Sequence, residues 1–197
     1  EAFPVETIRQ ITADILENDP VGALQYSISE GYGPLRDWIK DDLYAKGMFN
    51  WKEDDVIITA GAQQVMEMTA KVICNEGDAI ICEAPSFIGS LNAFRSYNAK
   101  LVGVPMEDDG MDINALEQAL KDNPRTAFIY VIPNFQNPTG ITTSLEKRKA
   151  VYELFETEEN GEHSSIRIAV DDIFYFSCLN RKMYLNTGSK QYRFPNF

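Results

Sequence analysis

Ala127-Phe128-Ile129-Tyr130-Val131-Ile132-Pro133-Asn134-Phe135-Gln136-Asn137-Pro138-Thr139-Gly140 decides how the rest of the chain is read. Its first six residues are apolar or aromatic without interruption, which is the pattern of a strand covered on both faces. A turn follows at once, because Asn-Pro and Thr-Gly pairs are turn formers. This turn carries side-chain amides directly after a buried strand, where chemistry rather than simple reversal of direction is expected.

Strand-like and helix-like segments alternate on both sides of that stretch. Val56-Ile57-Ile58-Thr59 reads as a short strand ending at Ala60-Gly61, and from Ala62 a helical period puts Val65, Met66, Thr69, Ala70, Val72 and Ile73 on one face. Asn75-Glu76-Gly77-Asp78 stops that helix, and Ala79-Ile80-Ile81-Cys82 starts another strand. Pro85-Ser86 opens a helix running to Arg95, Lys100-Leu101-Val102-Gly103-Val104 is extended, and Asp112 caps a helix carrying Ile113, Leu116, Ala119 and Leu120. Ser144 caps a helix at Leu145, and Ile166-Arg167-Ile168-Ala169-Val170 is the last clear strand. Such alternation predicts an α/β fold with a mostly parallel sheet covered by helices. Helical stretches at 5–17 and 34–46, joined by a loop over 26–33, precede it, and 178–197 reads as irregular.

Charge and composition exclude several classes of function. The 18 basic and 30 acidic residues give a net charge of −12, which opposes attraction to phosphate backbones and anionic membranes, so neither nucleic acid nor membrane is expected as a partner. Lys147-Arg148-Lys149 reads as the solvated face of a helix. No apolar run approaches the ~18 residues of a membrane span, and no charged-then-apolar leader is seen. Cys74, Cys82 and Cys178 lack the spacing of a disulfide framework or a metal site, which fits a reducing, cytoplasmic setting. The lone histidine, His163, sits in a polar loop, so a Ser-His-Asp mechanism is not expected.

In an open α/β sheet, ligands sit beyond the carboxyl ends of the strands. Four such ends carry chemistry in this chain. Gly61-Ala62-Gln63-Gln64 starts a helix, where free N–H groups and the positive dipole end suit a phosphate and Gly61 permits close approach. Phe87, beyond the strand starting at Ala79, offers an aromatic face to a flat ring. The turn with Asn134 and Asn137 offers amides. Asp171-Asp172, backed by Ile173-Phe174-Tyr175-Phe176, places an acid in apolar surroundings, where it needs a cationic partner such as a protonated pyridine nitrogen.

Taken in order, these stretches resemble the class I/II aminotransferases of fold type I, whose cofactor is pyridoxal phosphate, and within them the branch of the 2-aminoadipate and kynurenine aminotransferases. The likeness is carried by Leu24-Gln25-Tyr26-Ser27, Gly31-Tyr32-Gly33-Pro34-Leu35-Arg36, Thr59-Ala60-Gly61-Ala62-Gln63-Gln64, Glu83-Ala84-Pro85-Ser86-Phe87, the stretch from Val131 to Gly140, and Asp171-Asp172. It implies a three-layer fold with helices on both faces of the sheet and an aminotransferase moving an amino group between an α-amino acid and a 2-oxo acid. It also implies that Gly61, Ala62 and Gln63 bind the cofactor phosphate, Phe87 stacks on the ring, Asn137 bonds the ring's 3′-oxygen and Asp171 pairs with the ring nitrogen. Tyr26 would reach the phosphate of a second subunit, which implies a homodimer.

The sequence departs from the family at two places. Phe174 stands where the family has a tyrosine near the 3′-oxygen, with Tyr175 beside it. The family's cofactor lysine, in a Ser-x-Ser-Lys context, and its substrate-carboxylate arginine are not found; Lys190, in Thr187-Gly188-Ser189-Lys190, lacks that context. The chain therefore reads as roughly the first half of a longer enzyme, with the small C-terminal domain missing. Residues 1–50 read as an N-terminal helical segment, 51–178 as part of the cofactor-binding large domain, and 179–197 as an irregular tail. Two other readings remain: a different pyridoxal-phosphate enzyme such as a lyase or decarboxylase, and a non-catalytic sensor or assembly domain.

Overall fold

The computed structural model describes residues 3–52, 54–156, 167–171 and 176–179. In chain order the elements are α1 (Val5–Asn18), α2 (Pro20–Leu24), α3 (Gly33–Ala45), α4 (Ala62–Ile73), β1 (Ala79–Ala84), α5 (Ile88–Arg95), β2 (Lys100–Glu107), β3 (Gly110–Met111), α6 (Ile113–Asp122), β4 (Thr126–Val131), α7 (Leu145–Glu156), β5 (Arg167–Asp171) and β6 (Phe176–Leu179). The described strands form one sheet in the order β3-β2-β1-β4-β5-β6. The four central strands run parallel, and the two short outer ones, β3 and β6, are antiparallel to their neighbours.

Strand alternation sorts the core into two layers. Ile80, Cys82, Phe128, Tyr130 and Ala169 point to the side of α4 and α5, where they meet Met66, Ala70, Ala93 and Phe94. Ile81, Ile129, Val131 and Ile168 point to the other side, against Leu116 of α6 and Val151 of α7. This is the expected three-layer arrangement. Each buried side chain of that size contributes about 1.5–3 kcal/mol, so the unbroken apolar run in β4 stabilises both layers at once. Phe94 adds edge-on contacts to Phe128 and Tyr130, with ring centroids 5.4 and 5.3 Å apart.

Local signals place the helix starts. Asp112 caps α6 by accepting the N–H groups of Asn114 and Ala115 at 2.9 and 3.0 Å, a cap worth about 1 kcal/mol. Ser144 caps α7 through the Lys147 N–H at 3.2 Å. Burial pushes the Cys82 thiol up to about 12 and the Cys74 thiol up to about 11, so both are inert thiols packed in the protein.

Four expectations are corrected. Val56-Ile57-Ile58-Thr59 is not a strand, because its polar groups find other partners: Arg36 Nε donates to the Val56 carbonyl at 2.6 Å and the Ile58 N–H donates to the Glu30 carbonyl at 2.9 Å. Asp55, beside it, is held by Lys40 and Arg36, and the Lys40 hydrogen bond brings its carboxyl down to about 2. Val72 is 82% exposed, since at about 100° per residue it lies some 240° around α4 from buried Met66. Arg148 is not solvated: it is 6% exposed, because the loop before α7 turns its carbonyls toward the guanidinium. Cys178 and Leu179 belong to β6, paired with Ala169 and Ile168, and are therefore not irregular.

Candidate active site

β1, β4 and β5 are adjacent and parallel, so their carboxyl ends open on one edge of the sheet. Phe87 follows the first, the Asn137 turn follows the second, and Asp171 ends the third. Val131 pairs with Val170, which sets Asp171 one step further along, level with the exit of β4. The Asp171 backbone pairs with Phe176. Its side chain lies outside the described residues, as do Asp172, Phe174, Tyr175, His163 and Lys190.

The start of α4 is built for close approach. Gly61 has φ +87° and ψ 168°, a conformation nearly restricted to glycine, and a Cβ there would meet nothing within 4 Å. The N–H groups of Ala62 and Gln63 belong to the first helical turn, which has no intrahelical acceptor to offer them. Gln64 Oε1 accepts the Ala60 N–H at 2.7 Å, and Thr59 Oγ1 donates to the Gly61 carbonyl at 3.1 Å, so the turn is held from both flanks.

Phe87 and Gln63 are brought together. Gln63 Nε2 donates to the Gly89 carbonyl at 3.2 Å, and a Cβ on Gly89 would fall 2.6 Å from Phe87 Cε1 and 2.9 Å from Gln63 Oε1. The aromatic ring and the helix start thus converge on the one residue in α5 without a side chain. Phe87 is half-buried and also packs on the α4/α5 core layer, so it serves the fold as well as the opening. Next to it, the Ser86 hydroxyl is buried without a hydrogen-bond partner.

The turn after β4 is held by side chains that sequence patterns did not reveal. Gln136 is 1% exposed and bonds Glu83, Pro85 and Thr139, while the neighbouring Asn137 is exposed. On the other flank Arg148 donates to the Thr143 and Pro133 carbonyls at 2.8 and 3.1 Å and to Asn134 Oδ1 at 2.9 Å. The available signal was Glu83, an acid at the end of an apolar strand, which must find donors when buried. Tyr26 is not brought to these groups by the chain's own packing: it is 99% exposed.

An open glycine at a helix start, first-turn N–H groups without an intrahelical acceptor, and an aromatic ring that meets the side chain of that helix's Gln63 at Gly89 suit a phosphorylated flat ring. Among the described residues no group of three or more His, Cys, Asp or Glu is placed to hold a metal ion. No described helix is long and apolar enough to cross a membrane.

Residues 4–177 match the family described as Aminotransferase class I and II. The chain is similar to the aromatic-amino-acid aminotransferase 1 of Thermococcus litoralis, with 34% identity over 96% of this chain and 48% of that protein. It is 39% identical to the 2-aminoadipate transaminase of Thermus thermophilus, over 78% of this chain and 37% of that protein. Its fold matches the crystal structure of Pyrococcus horikoshii kynurenine aminotransferase in complex with PMP at a TM-score of 0.76 and 33% identity, covering 86% of this chain and 41% of that one. The chain thus spans less than half the length of these relatives.

Proposed function

The chain belongs to the aminotransferase class I and II family, and from that premise we propose that it is part of a pyridoxal-phosphate enzyme moving an amino group between an α-amino acid and a 2-oxo acid. The observation that carries this reading is the junction at Gly89, where the helix start that suits a phosphate and the ring of Phe87 meet. When bound, the cofactor supplies a ring that takes up the electrons released at the substrate's α-carbon.

The chain's own residues bind and orient that ring. The N–H groups of Ala62 and Gln63, with Gly61 giving clearance, hold the phosphate. Phe87 covers one face of the ring. The Asn137 amide donates to the 3′-oxygen, and Asp171 keeps a proton on the ring nitrogen. Phe174 has no hydroxyl to offer the 3′-oxygen, which leaves that contact to Asn137 or to Tyr175 beside it. Tyr26, fully exposed in one chain, completes the phosphate site of a second copy in a homodimer. Residues 51–178 form the cofactor-binding part and 1–50 the lead-in; the free thiols of Cys74 and Cys82 fit a cytoplasmic setting.

The relatives make 2-aminoadipate, kynurenine and aromatic amino acids the donors to try first. Titrating the protein with pyridoxal phosphate, followed by absorbance and by amino-group transfer to a 2-oxo acid, tests the reading. Retention of the cofactor, lost on Asp171→Ala, is the expected result for these 197 residues, and transfer of nitrogen is expected only from a protein that also carries the cofactor lysine and substrate-carboxylate arginine not found here. In a protein that carries that lysine and arginine, retention without turnover favours the sensor reading, and release of carbon dioxide or ammonia favours a decarboxylase or lyase. No retention sinks the proposal.

A further inference from the structure

Glu83 and Gln136 meet beneath two loops that the proposed site needs at a fixed separation. They are 3% and 1% exposed. Gln136 Nε2 donates to Glu83 Oε2 at 3.1 Å and to the Pro85 carbonyl at 2.8 Å. Its Oε1 accepts the Thr139 N–H at 2.9 Å and the Thr139 hydroxyl at 2.6 Å. Both donors and both lone pairs of one amide are therefore engaged. Glu83 Oε2 also accepts the N–H of Ile132, the residue just past β4, at 3.2 Å.

Only an amide in one orientation satisfies this arrangement. A carboxylate at 136 would face Glu83 and the Pro85 carbonyl, and an apolar side chain would leave those acceptors and the two Thr139 donors without it. Burying a carboxylate and an amide together costs desolvation that a packed apolar pair would avoid, so stability alone does not account for them. What the pair does fix is geometry. Pro85 lies two residues before Phe87, and Gln136 directly precedes Asn137, so one amide joins the two loops on either side of the ring's proposed place.

We propose that Gln136 and Glu83 are positioning residues that hold the Asn137 turn against the Phe87 loop, and that they govern the site's affinity for the flat ring rather than for the phosphate. This rests on the pyridoxal-phosphate reading above. Neither side chain needs to touch the ligand. Their effect passes through Asn137 and Phe87, as outer hydrogen bonds orient the groups that make contact.

The test uses 4′-deoxypyridoxine 5′-phosphate, which has no aldehyde and so reports the non-covalent grip, with inorganic phosphate as a competitor. Gln136→Met keeps the volume and removes the bonds. It is expected to weaken binding of the ring analogue by about tenfold or more while leaving phosphate competition within about twofold. Gln136→Glu should do the same, and adding Glu83→Gln to it, which reverses the amide and the acid, should recover about threefold or more.

Equal weakening of both ligands, or no change in either, overturns the proposal while leaving the cofactor reading intact. If Gln136→Met does not fold, the paired exchange decides, and absence of any recovery overturns the proposal. A wild-type protein that binds neither pyridoxal phosphate nor its analogue overturns the cofactor reading and this one with it.

Discussion

Gln63 Nε2 donates to the Gly89 carbonyl at 3.2 Å, which holds the first turns of α4 and α5 side by side. Gly89 sits under the Phe87 ring, and a methyl group there would be 2.6 Å from Phe87 Cε1 and 2.8 Å from Cζ. In an exposed helix, Gly→Ala ordinarily gains up to about 1 kcal/mol. Here the ring must move to admit the methyl. Gly89→Ala is expected to show no such gain and to weaken pyridoxal-phosphate binding by about tenfold, since a displaced ring would lose the stacking contact proposed for it. Thermal melting and a cofactor titration check both halves; a stabilised variant with unchanged affinity would show that Phe87 has room to spare.

Gly61 gives the opposite test, because space is not its constraint. Nothing lies within 4 Å of its missing Cβ, yet its φ is +87°. Gly61→Ala should therefore cost about 1–3 kcal/mol through backbone strain alone, read from the denaturant midpoint. Relief of that strain tilts the first turn of α4, so affinity for inorganic phosphate should fall as well. A cost below about 0.5 kcal/mol would mean the turn is free to relax, and the rigid cradle would be lost as an explanation.

The outer apolar stripe on α1 bears on the proposed homodimer. Val5, Ile8, Ile11, Ile15 and Leu16 recur at helical spacing, are all between 45% and 68% exposed, and carry the stripe along one side. Covering such residues contributes about 1.5–3 kcal/mol each. Ile8→Glu with Ile15→Glu is thus expected to raise a dimer's dissociation constant by about a hundredfold or more, seen by sedimentation. A wild-type protein that is monomeric at every concentration, or a variant that dimerises as well as the wild type, removes this stripe from the interface.

Much of the fold was legible because its signals are local. The apolar run of β4, the Asp112 cap and the glycine at 61 each act within a few residues of themselves, and each appears where the pattern put it. The features that escaped depend on distant partners. Gln136 and Glu83 are separated by 53 positions, and only the parallel register of β1 and β4 brings them together. Val56-Ile57-Ile58-Thr59 has the composition of a strand, but a strand exists only as a ladder, and Arg36 and Glu30 take two of the groups such a ladder would use. Arg148 looked like surface because its burial depends on carbonyls of a loop whose path the sequence does not state. β6 is four residues long and is defined by its neighbour more than by its own pattern.

Asp78 provides a control at the other end of the sheet. Its Oδ2 accepts the Asn75 N–H at 2.8 Å and the Asn75 amide at 3.2 Å, and its Oδ1 accepts Arg125 Nη2 at 2.5 Å. Its own carbonyl receives the Lys100 N–H at 2.9 Å, so it ties the amino ends of β1 and β2 to the segment leading into β4. The Asn75 backbone bond, followed by bonds from Arg125 and the Asn75 side chain, lowers its carboxyl from the ordinary value. A lowered folded value means the carboxylate stabilises the fold above the unfolded pKa of about 3.9, and that this is lost as pH falls through the folded value. Because Arg125 is 66% exposed, solvent screening keeps the ion-pair part small, and Asp78→Asn should cost about 1–2 kcal/mol at pH 7, mainly through the Asn75 bonds. Urea midpoints should then converge for the two proteins as pH is taken from 7 toward 3, and a gap of the same size at both ends would show that ionisation is not the source. Since the amino ends of the strands lie away from the carboxyl edge, affinity for pyridoxal phosphate should stay within about twofold in this variant, which separates general loss of stability from damage to the site.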